Sequence, residues 1–255
     1  MRLNFHQQGQ GQPLIILHGL FGSLDNWQRI AEALSDKFRV ISADLRNHGS
    51  SPHSDEMSLS AMAGDVRTLL DGLGLKEAMA LGHSLGGKVA MQLALETPER
   101  VAKLVVADIA PRPYPPWHLE ILDALLSLKL EKFKSRPEIE QTLAKDLPSL
   151  PLRKFLLKNL RRNEDGSFVW KIPLPTIKEN YALLNQSGDF QGAFEKSTLF
   201  VRGGPSEYIT RADQKIILKL FPRAKIETIP EAGHWLHAEK PEEFIRIVRS
   251  FLLAT

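Results

Sequence analysis

Gly82-His83-Ser84-Leu85-Gly86 stands directly after a short apolar run, Ala78-Met79-Ala80-Leu81, and directly before a stretch of helical periodicity from about Leu85 to Glu96 that Pro98 stops. A serine so placed sits on a sharp strand-to-helix turn. Such a turn admits only small neighbours, which accounts for the glycines two residues to either side. The hydroxyl is lifted above the end of a sheet, and the helix that follows aims its unpaired N–H groups at the space beside it. The other reading is a glycine-rich turn whose serine caps the helix, and the rest of the chain bears on the choice.

Working outward, the same alternation recurs. Leu14-Ile15-Ile16-Leu17, Arg39-Val40-Ile41-Ser42-Ala43, Lys103-Leu104-Val105-Val106-Ala107, Thr198-Leu199-Phe200-Val201 and Lys225-Ile226-Glu227-Thr228 read as strands. Trp27 to Ser35 reads as a helix between the first two, and Pro241 to Leu253 as a final helix with apolar Phe244, Ile245, Ile247, Val248, Phe251 and Leu252. Continuous apolar runs are what parallel strands covered on both faces require, so the fold class is α/β with a mostly parallel twisted sheet flanked by helices. From Pro111 to Glu195 the rhythm breaks. Prolines at 111, 113, 115 and 116 open a helical stretch that contains a turn signal, Arg162-Asn163-Glu164-Asp165-Gly166-Ser167. A segment of about 85 residues is too long for a simple crossover. It reads as a mostly helical cap at 111–195, inserted into a core made of 1–110 and 196–255.

The 255 residues are 43% hydrophobic and 25% charged, enough apolar material for one main domain with an insertion. There is no cysteine, which excludes disulfides, cysteine-ligated zinc, iron–sulfur clusters and a thiol nucleophile. The net charge of +3 comes from mixed charges, and no nucleic-acid-binding motif accompanies it. Met1-Arg2-Leu3-Asn4-Phe5-His6-Gln7-Gln8 lacks the apolar run of roughly 7 to 15 residues that a signal peptide needs. No window approaches the roughly 18 apolar residues of a spanning helix. The expectation is a cytoplasmic protein without stable membrane insertion; the sequence carries no signal for oligomeric state.

His18-Gly19-Leu20-Phe21-Gly22 follows the first of these strands and is placed to complete an oxyanion hole. The expected donors are the backbone N–H groups of Leu20 and Leu85, with Phe21 as the other candidate in the loop. Of eight histidines, His234 is preferred as the base, because it lies between the last strand and the last helix, where an imidazole overhangs the sheet edge. His237 is second choice. His18 and His83 are expected to shape the loops. Two acids preserve the order serine, acid, histidine: Asp108, at the end of the strand Lys103 to Ala107, and Glu207, in Gly203-Gly204-Pro205-Ser206-Glu207-Tyr208. Asp108 is preferred because it stands directly at a strand end, and Glu207 stays open.

These blocks together resemble the α/β-hydrolase superfamily over nearly the whole chain, and within it YbfF-like bacterial esterases and eukaryotic abhydrolase-domain relatives. The resemblance is carried by His18 to Asn26, by Asp44-Leu45-Arg46-Asn47-His48-Gly49-Ser50-Ser51-Pro52, by Gly82 to Lys88, by Asp108-Ile109-Ala110-Pro111 and by Gly233-His234-Trp235-Leu236-His237-Ala238-Glu239-Lys240-Pro241. It implies an esterase acting on short-to-medium acyl esters, with acyl thioesters as a further class. It also implies an acid after the family's sixth strand, which matches Asp108, although many members place the acid one strand later, where Glu207 falls. The Asp44 to Ser51 turn is expected to anchor its loop through Asp44 rather than meet substrate.

The expected chemistry is acyl transfer through Ser84 and His234, with no metal or organic cofactor required. Carbon–carbon hydrolases, lyases and cofactor-free haloperoxidases share the serine and stay possible, as does a non-catalytic ligand-binding scaffold. Arg153-Lys154-Phe155-Leu156-Leu157-Lys158-Asn159-Leu160-Arg161-Arg162 is basic and amphipathic. It reads as a solvated face of the cap, with attraction to anionic acyl groups or lipid as the alternative. Trp117, Phe155, Trp170, Tyr181 and Tyr208 are aromatic candidates for pocket walls.

Overall fold

In the computed structural model, which describes residues 1–185 and 190–254, the apolar run Leu14-Ile15-Ile16-Leu17 alternates between two cores. Leu14 and Ile16 pack with Trp27, Leu34 and Phe244 on one face, whereas Ile15 and Leu17 pack with Met62, Val66 and Val89 on the other. Both faces are covered, so every position in the run is apolar. Each such side chain contributes roughly 1.5–3 kcal/mol by leaving water.

The chain runs through β1 (Phe5–Gln8), β2 (Gln12–Leu17), α1 (Gln28–Leu34), β3 (Phe38–Ala43), α2 (Leu59–Gly72), β4 (Ala78–His83), α3 (Leu85–Glu96) and β5 (Val101–Ala107). It then enters the helical insertion of α4 (Leu119–Ser127), α5 (Arg136–Leu143), α6 (Leu150–Leu156), the hairpin β6 (Leu160–Arg162) with β7 (Phe168–Trp170), and α7 (Leu174–Asn185). It returns through β8 (Thr198–Gly203), α8 (Gln214–Leu220), β9 (Ala224–Ile229), α9 (Leu236–Glu239) and α10 (Pro241–Leu253). The seven-stranded sheet has the order β1-β3-β2-β4-β5-β8-β9. β1 is antiparallel to β3 and every other pairing in the sheet is parallel. The fold is that of an α/β-hydrolase with a helical insertion.

Register determines where the chemistry gathers. Leu17 stands opposite Gly82, Gly82 opposite Val106, and Val106 opposite Phe200. The carboxyl ends of β2, β4, β5 and β8 therefore open on one edge of the sheet, the crevice where open α/β sheets bind ligands. Asp108 follows the fifth strand of this chain, one earlier than the family's count.

Several elements were not read from the sequence: β1, α2, α8, α9 and the β6–β7 hairpin of the insertion. β1 lies at the edge with its residues half-buried or exposed, so it has no apolar run to announce it. α2 buries Leu59, Met62, Ala63, Val66, Leu69 and Leu70, a helical stripe that was legible, and Ser58 caps it by accepting the Ala61 N–H at 3.2 Å. The segment Arg153 to Arg162 is not one amphipathic helix. α6 ends at Leu156, a 3₁₀ turn covers Leu157–Asn159, and β6 follows. Arg153 is buried, paired with Glu140 at 2.7 Å and bonded to the Leu147 and Pro148 carbonyls. Lys154, Lys158, Arg161 and Arg162 are exposed. No helix among the described residues is long and apolar enough to cross a membrane.

Candidate active site

Ser84 joins β4 to α3 at φ 50° and ψ −116°, a backbone region that L-residues seldom occupy and that costs about 1–3 kcal/mol. The surroundings leave it no alternative. A Cβ on Gly82 would lie 2.1 Å from the Gly86 carbonyl oxygen, and one on Gly86 would lie 2.3 Å from that of Leu17. The Ser84 N–H donates to the Ala107 carbonyl at 3.1 Å, tying the turn to β5. The side chain forms part of the wall of a cavity of about 820 Å³ between the sheet edge and the insertion.

Asp108 also has a positive φ, 49°, and is fully buried. Its N–H donates to the Val201 carbonyl at 2.8 Å. One carboxylate oxygen accepts the Gly203 N–H at 3.0 Å; the other accepts the Ser206 hydroxyl and lies 2.8 Å from His234 Nδ1. Burial pushes the Asp108 carboxyl up to about 6, against the opposing pull of Ser206, Gly203 and the Arg202 charge. Burial, followed by the nearby His118, pushes the His234 imidazole down to about 3. At neutral pH the ring is neutral, Nδ1–H faces a carboxylate, and Nε2 is the free base.

The His234 ring is held on two sides. Tyr208 stacks on it with centroids 3.7 Å apart, and the His83 ring lies 4.6 Å away. His83 Nε2 bonds the His234 carbonyl oxygen at 2.8 Å, so His83 places the loop of the base. His237, the second choice, is buried against Trp27 at 4.3 Å, and its Nδ1 has no hydrogen-bond partner among the described residues. Ser84 and His234 meet as walls of one cavity; among the described residues no hydrogen bond joins them. Glu207 is exposed, and it is its carbonyl oxygen, not its carboxylate, that is engaged, by Arg112 at 3.0 Å. The two acids thus separate: Asp108 meets the imidazole and Glu207 does not.

Among the loop amides, Phe21 N–H is already donated to His48 Nε2 at 3.2 Å, and Gly22 N–H to the Gly19 carbonyl at 3.0 Å. The Leu20 and Leu85 amides have no protein acceptor among the described residues. Gly19 presses against the serine turn, since a Cβ there would lie 2.9 Å from His83 Nδ1 and 3.3 Å from Ser84 Cβ. The loop rests on buried histidines. His18 bonds the Gly19 carbonyl at 2.8 Å and accepts the Leu45 N–H at 3.0 Å, while His48 bonds the Arg46 carbonyl at 2.9 Å. Burial lowers His18 to about 4 and His48 to about 3. The Asp44 carboxylate accepts from Leu24 N–H, Ser50 N–H and Asn4 Nδ2 at 2.7–2.8 Å, so Asp44 anchors its own turn and ties it to the chain just after the His18–Gly22 loop.

Of the aromatic candidates, Trp117, Phe155 and Tyr208 line the large cavity. Tyr181 lines a narrow recess beside it, and Trp170 lies in a separate cleft with Leu125 and Leu128. Sequence reasoning missed Ser206, which stands next to the acid it singled out, and Lys88, one helical turn beyond Ser84. Lys88 is buried and donates to the Leu184 and Asn185 carbonyls at 3.0 Å each, closing the carboxyl end of α7. Burial lowers it to about 7. Among the described residues no group of three or more histidine or acidic side chains is placed to hold a metal ion.

The chain matches the alpha/beta hydrolase fold family over residues 12–241. It is 38% identical over 247 residues to the sn-1-specific diacylglycerol lipase ABHD11 of Mus musculus, covering 94% of this chain and 80% of the relative. To the esterase YbfF of Escherichia coli (strain K12) it is 35% identical over 258 residues, covering 99% of each. Among solved structures, a marine microorganism esterase superposes with a TM-score of 0.95 at 43% identity, covering 98% of this chain and 99% of that one.

Proposed function

Because this chain belongs to the alpha/beta hydrolase fold family, we propose that it is a serine esterase cleaving short-to-medium acyl esters through an acyl-enzyme on Ser84. The observation that carries the reading is the 2.8 Å contact between the buried Asp108 and Nδ1 of His234, whose ring lines the same cavity as Ser84. Ser84 Oγ bonds to the ester carbonyl carbon while His234 Nε2 takes its proton. The carbonyl oxygen, now an oxyanion, is held by the Leu20 and Leu85 N–H groups, each such donor worth about 2.7–4 kcal/mol in related sites. Collapse breaks the bond to the leaving oxygen, which receives the proton from His234. Water then attacks the acyl-enzyme, gives its proton to His234, and the acid departs as that proton returns to Oγ. Asp108 fixes the tautomer and stabilises the transient imidazolium.

Residues 111–195 serve in this proposal as the cap over a core of 1–110 and 196–255. Acyl thioesters present the same carbonyl and fall within it. The test is labelling by a serine-reactive fluorophosphonate, with p-nitrophenyl ester hydrolysis measured alongside. Wild-type protein is expected to label and to turn over ester, and Ser84→Ala to do neither. Full turnover by Ser84→Ala would end the reading.

A further inference from the structure

The loop after β2 receives a hydrogen bond from 138 residues further along the chain. Asn159, at the end of the 3₁₀ turn in the insertion, is 4% exposed and donates from Nδ2 to the Phe21 carbonyl at 2.7 Å. The same nitrogen lies 3.2 Å from the Leu156 carbonyl. Two carbonyl oxygens face it, which fixes the orientation of the amide with its NH₂ group toward the loop. Phe21 has a φ of 61°, the left-handed region that a bulky side chain seldom occupies, so its neighbours impose the direction of its carbonyl.

We propose that Asn159 is a positioning residue for the oxyanion hole: through the Phe21 carbonyl it sets the direction of the Leu20 N–H, so that the insertion completes the site as well as covering it. This rests on the esterase reading above.

The route is two peptide units long. Every peptide bond among the described residues is trans, so the C=O and N–H of one unit point in opposite directions. With the Phe21 carbonyl turned to Asn159, the Gly22 N–H of the same unit turns away and donates to the Gly19 carbonyl at 3.0 Å. The Gly19 carbonyl in turn shares its unit with the Leu20 N–H, which is thereby directed to the opposite side, and Leu20 lines the cavity together with Ser84. Each hydrogen bond polarises the next unit, so the Asn159 donor makes Leu20 a stronger one.

The remaining bonds of the loop come from the core. His48 Nε2 accepts the Phe21 N–H at 3.2 Å. His18 Nε2 accepts the Leu45 N–H at 3.0 Å, so its proton is on Nδ1, which donates to the Gly19 carbonyl at 2.8 Å. Among the described residues, Asn159 makes the one side-chain hydrogen bond to residues 18–22 that originates in the insertion. Its own carbonyl accepts the Lys171 N–H at 2.7 Å, just after β7, so the small hairpin holds it in place.

The test uses the whole chain, with p-nitrophenyl acetate as substrate and butaneboronic acid as a probe of the tetrahedral anion. Asn159→Leu keeps the bulk and removes the donor, Asn159→Ala removes both, and if one fails to fold the other decides. Asn180→Ala is the comparison, because Asn180 Nδ2 on α7 ties the insertion to the Asp55 carbonyl at 2.8 Å without touching the loop. A misdirected oxyanion donor acts on the transition state and not on substrate binding. Each Asn159 variant is therefore expected to lower kcat about fivefold or more with KM within about threefold, and to weaken the boronic acid by a similar factor. Asn180→Ala is expected to leave kcat and boronic acid binding within about threefold. A smaller kcat loss in a folded Asn159 variant would overturn the assignment. So would a loss carried by KM with boronic acid binding unchanged, or an equal loss in Asn180→Ala. Wild-type protein that neither labels with fluorophosphonate nor turns over ester would remove the parent reading and this one together. Labelled, active wild type matched by its Asn159 variants would remove this one alone.

Discussion

Tyr208 lies flat against the His234 imidazole, their centroids 3.7 Å apart and their planes 16° from parallel, while Asp108 holds the same ring by its edge at 2.8 Å. One contact fixes the plane of the ring and the other its direction. Stacking of this kind is worth about 0.5–1.5 kcal/mol, or roughly two- to tenfold in rate if lost in the transition state. Tyr208→Ala is expected to lower kcat on p-nitrophenyl acetate by that factor. Tyr208→Phe, which retains the ring, is expected to stay within about twofold of wild type, and stopped-time assays on the two variants check the difference.

Asp108 and Glu207 are separated by mutation. Asp108→Asn is expected to lower kcat by up to about 10⁴-fold, because the amide favours the wrong imidazole tautomer. Glu207→Gln is expected to leave kcat within about twofold, its side chain being exposed. Equal losses in both would contradict the geometry.

The acid limb of the rate profile follows from the buried carboxyl. Burial raises Asp108 and lowers His234, and at 2.8 Å the two titrate as a pair, so the first proton taken up as pH falls belongs to the pair. That proton removes either the free base or the charge that stabilises the imidazolium, and kcat/KM is expected to fall on the acid side. The Ser206 hydroxyl opposes the rise, so Ser206→Ala is expected to shift this midpoint upward. A kcat/KM profile from pH 4.5 to 8 for both proteins reads the shift.

Stability has its own pH dependence. Six histidines are held below their ordinary value of 6.5 by burial: His18, His48, His83, His118, His234 and His237. In the unfolded chain each binds a proton near pH 6.5; in the folded chain burial opposes that proton, holding His18 and His118 to about 4 and His48 and His234 to about 3, and His83 and His237 well below their ordinary value. The unfolded state therefore binds more protons in that window, and stability is lost as pH falls, by about 1.4 kcal/mol per unit for each fully buried ring. Asp108 acts oppositely, since its raised value favours the folded state once protonated, but it is one group against six. The urea midpoint is expected to fall steeply between pH 6.5 and 4.5, and to go on rising more gently above pH 7, where the buried Lys88, lowered to about 7, gives up its proton in the folded chain but not in the unfolded one.

The serine turn was legible because its requirements are local: a strand, two glycines that approach backbone, and a helix. The acid was legible only as a preference for Asp108 over Glu207, since β5 and β8 are neighbours and present both at the same edge. The choice is made by Gly203 N–H and the Ser206 hydroxyl, which turn toward Asp108 and leave Glu207 outside. Trp170 was grouped with the pocket aromatics by residue type, but its position on the small hairpin sends it to another cleft. No apolar pattern distinguishes an aromatic facing a cavity from one facing a neighbouring helix.

The bond from Lys88 to the last turn of α7 ties the insertion to the same helix whose first residue is Leu85. Grafting a sibling's lid onto this scaffold is therefore not a matter of matching loop ends alone. A transplant that does not offer two carbonyls where Leu184 and Asn185 now stand would take two acceptors from a buried cation, and such chimeras should be built with position 88 exchanged at the same time.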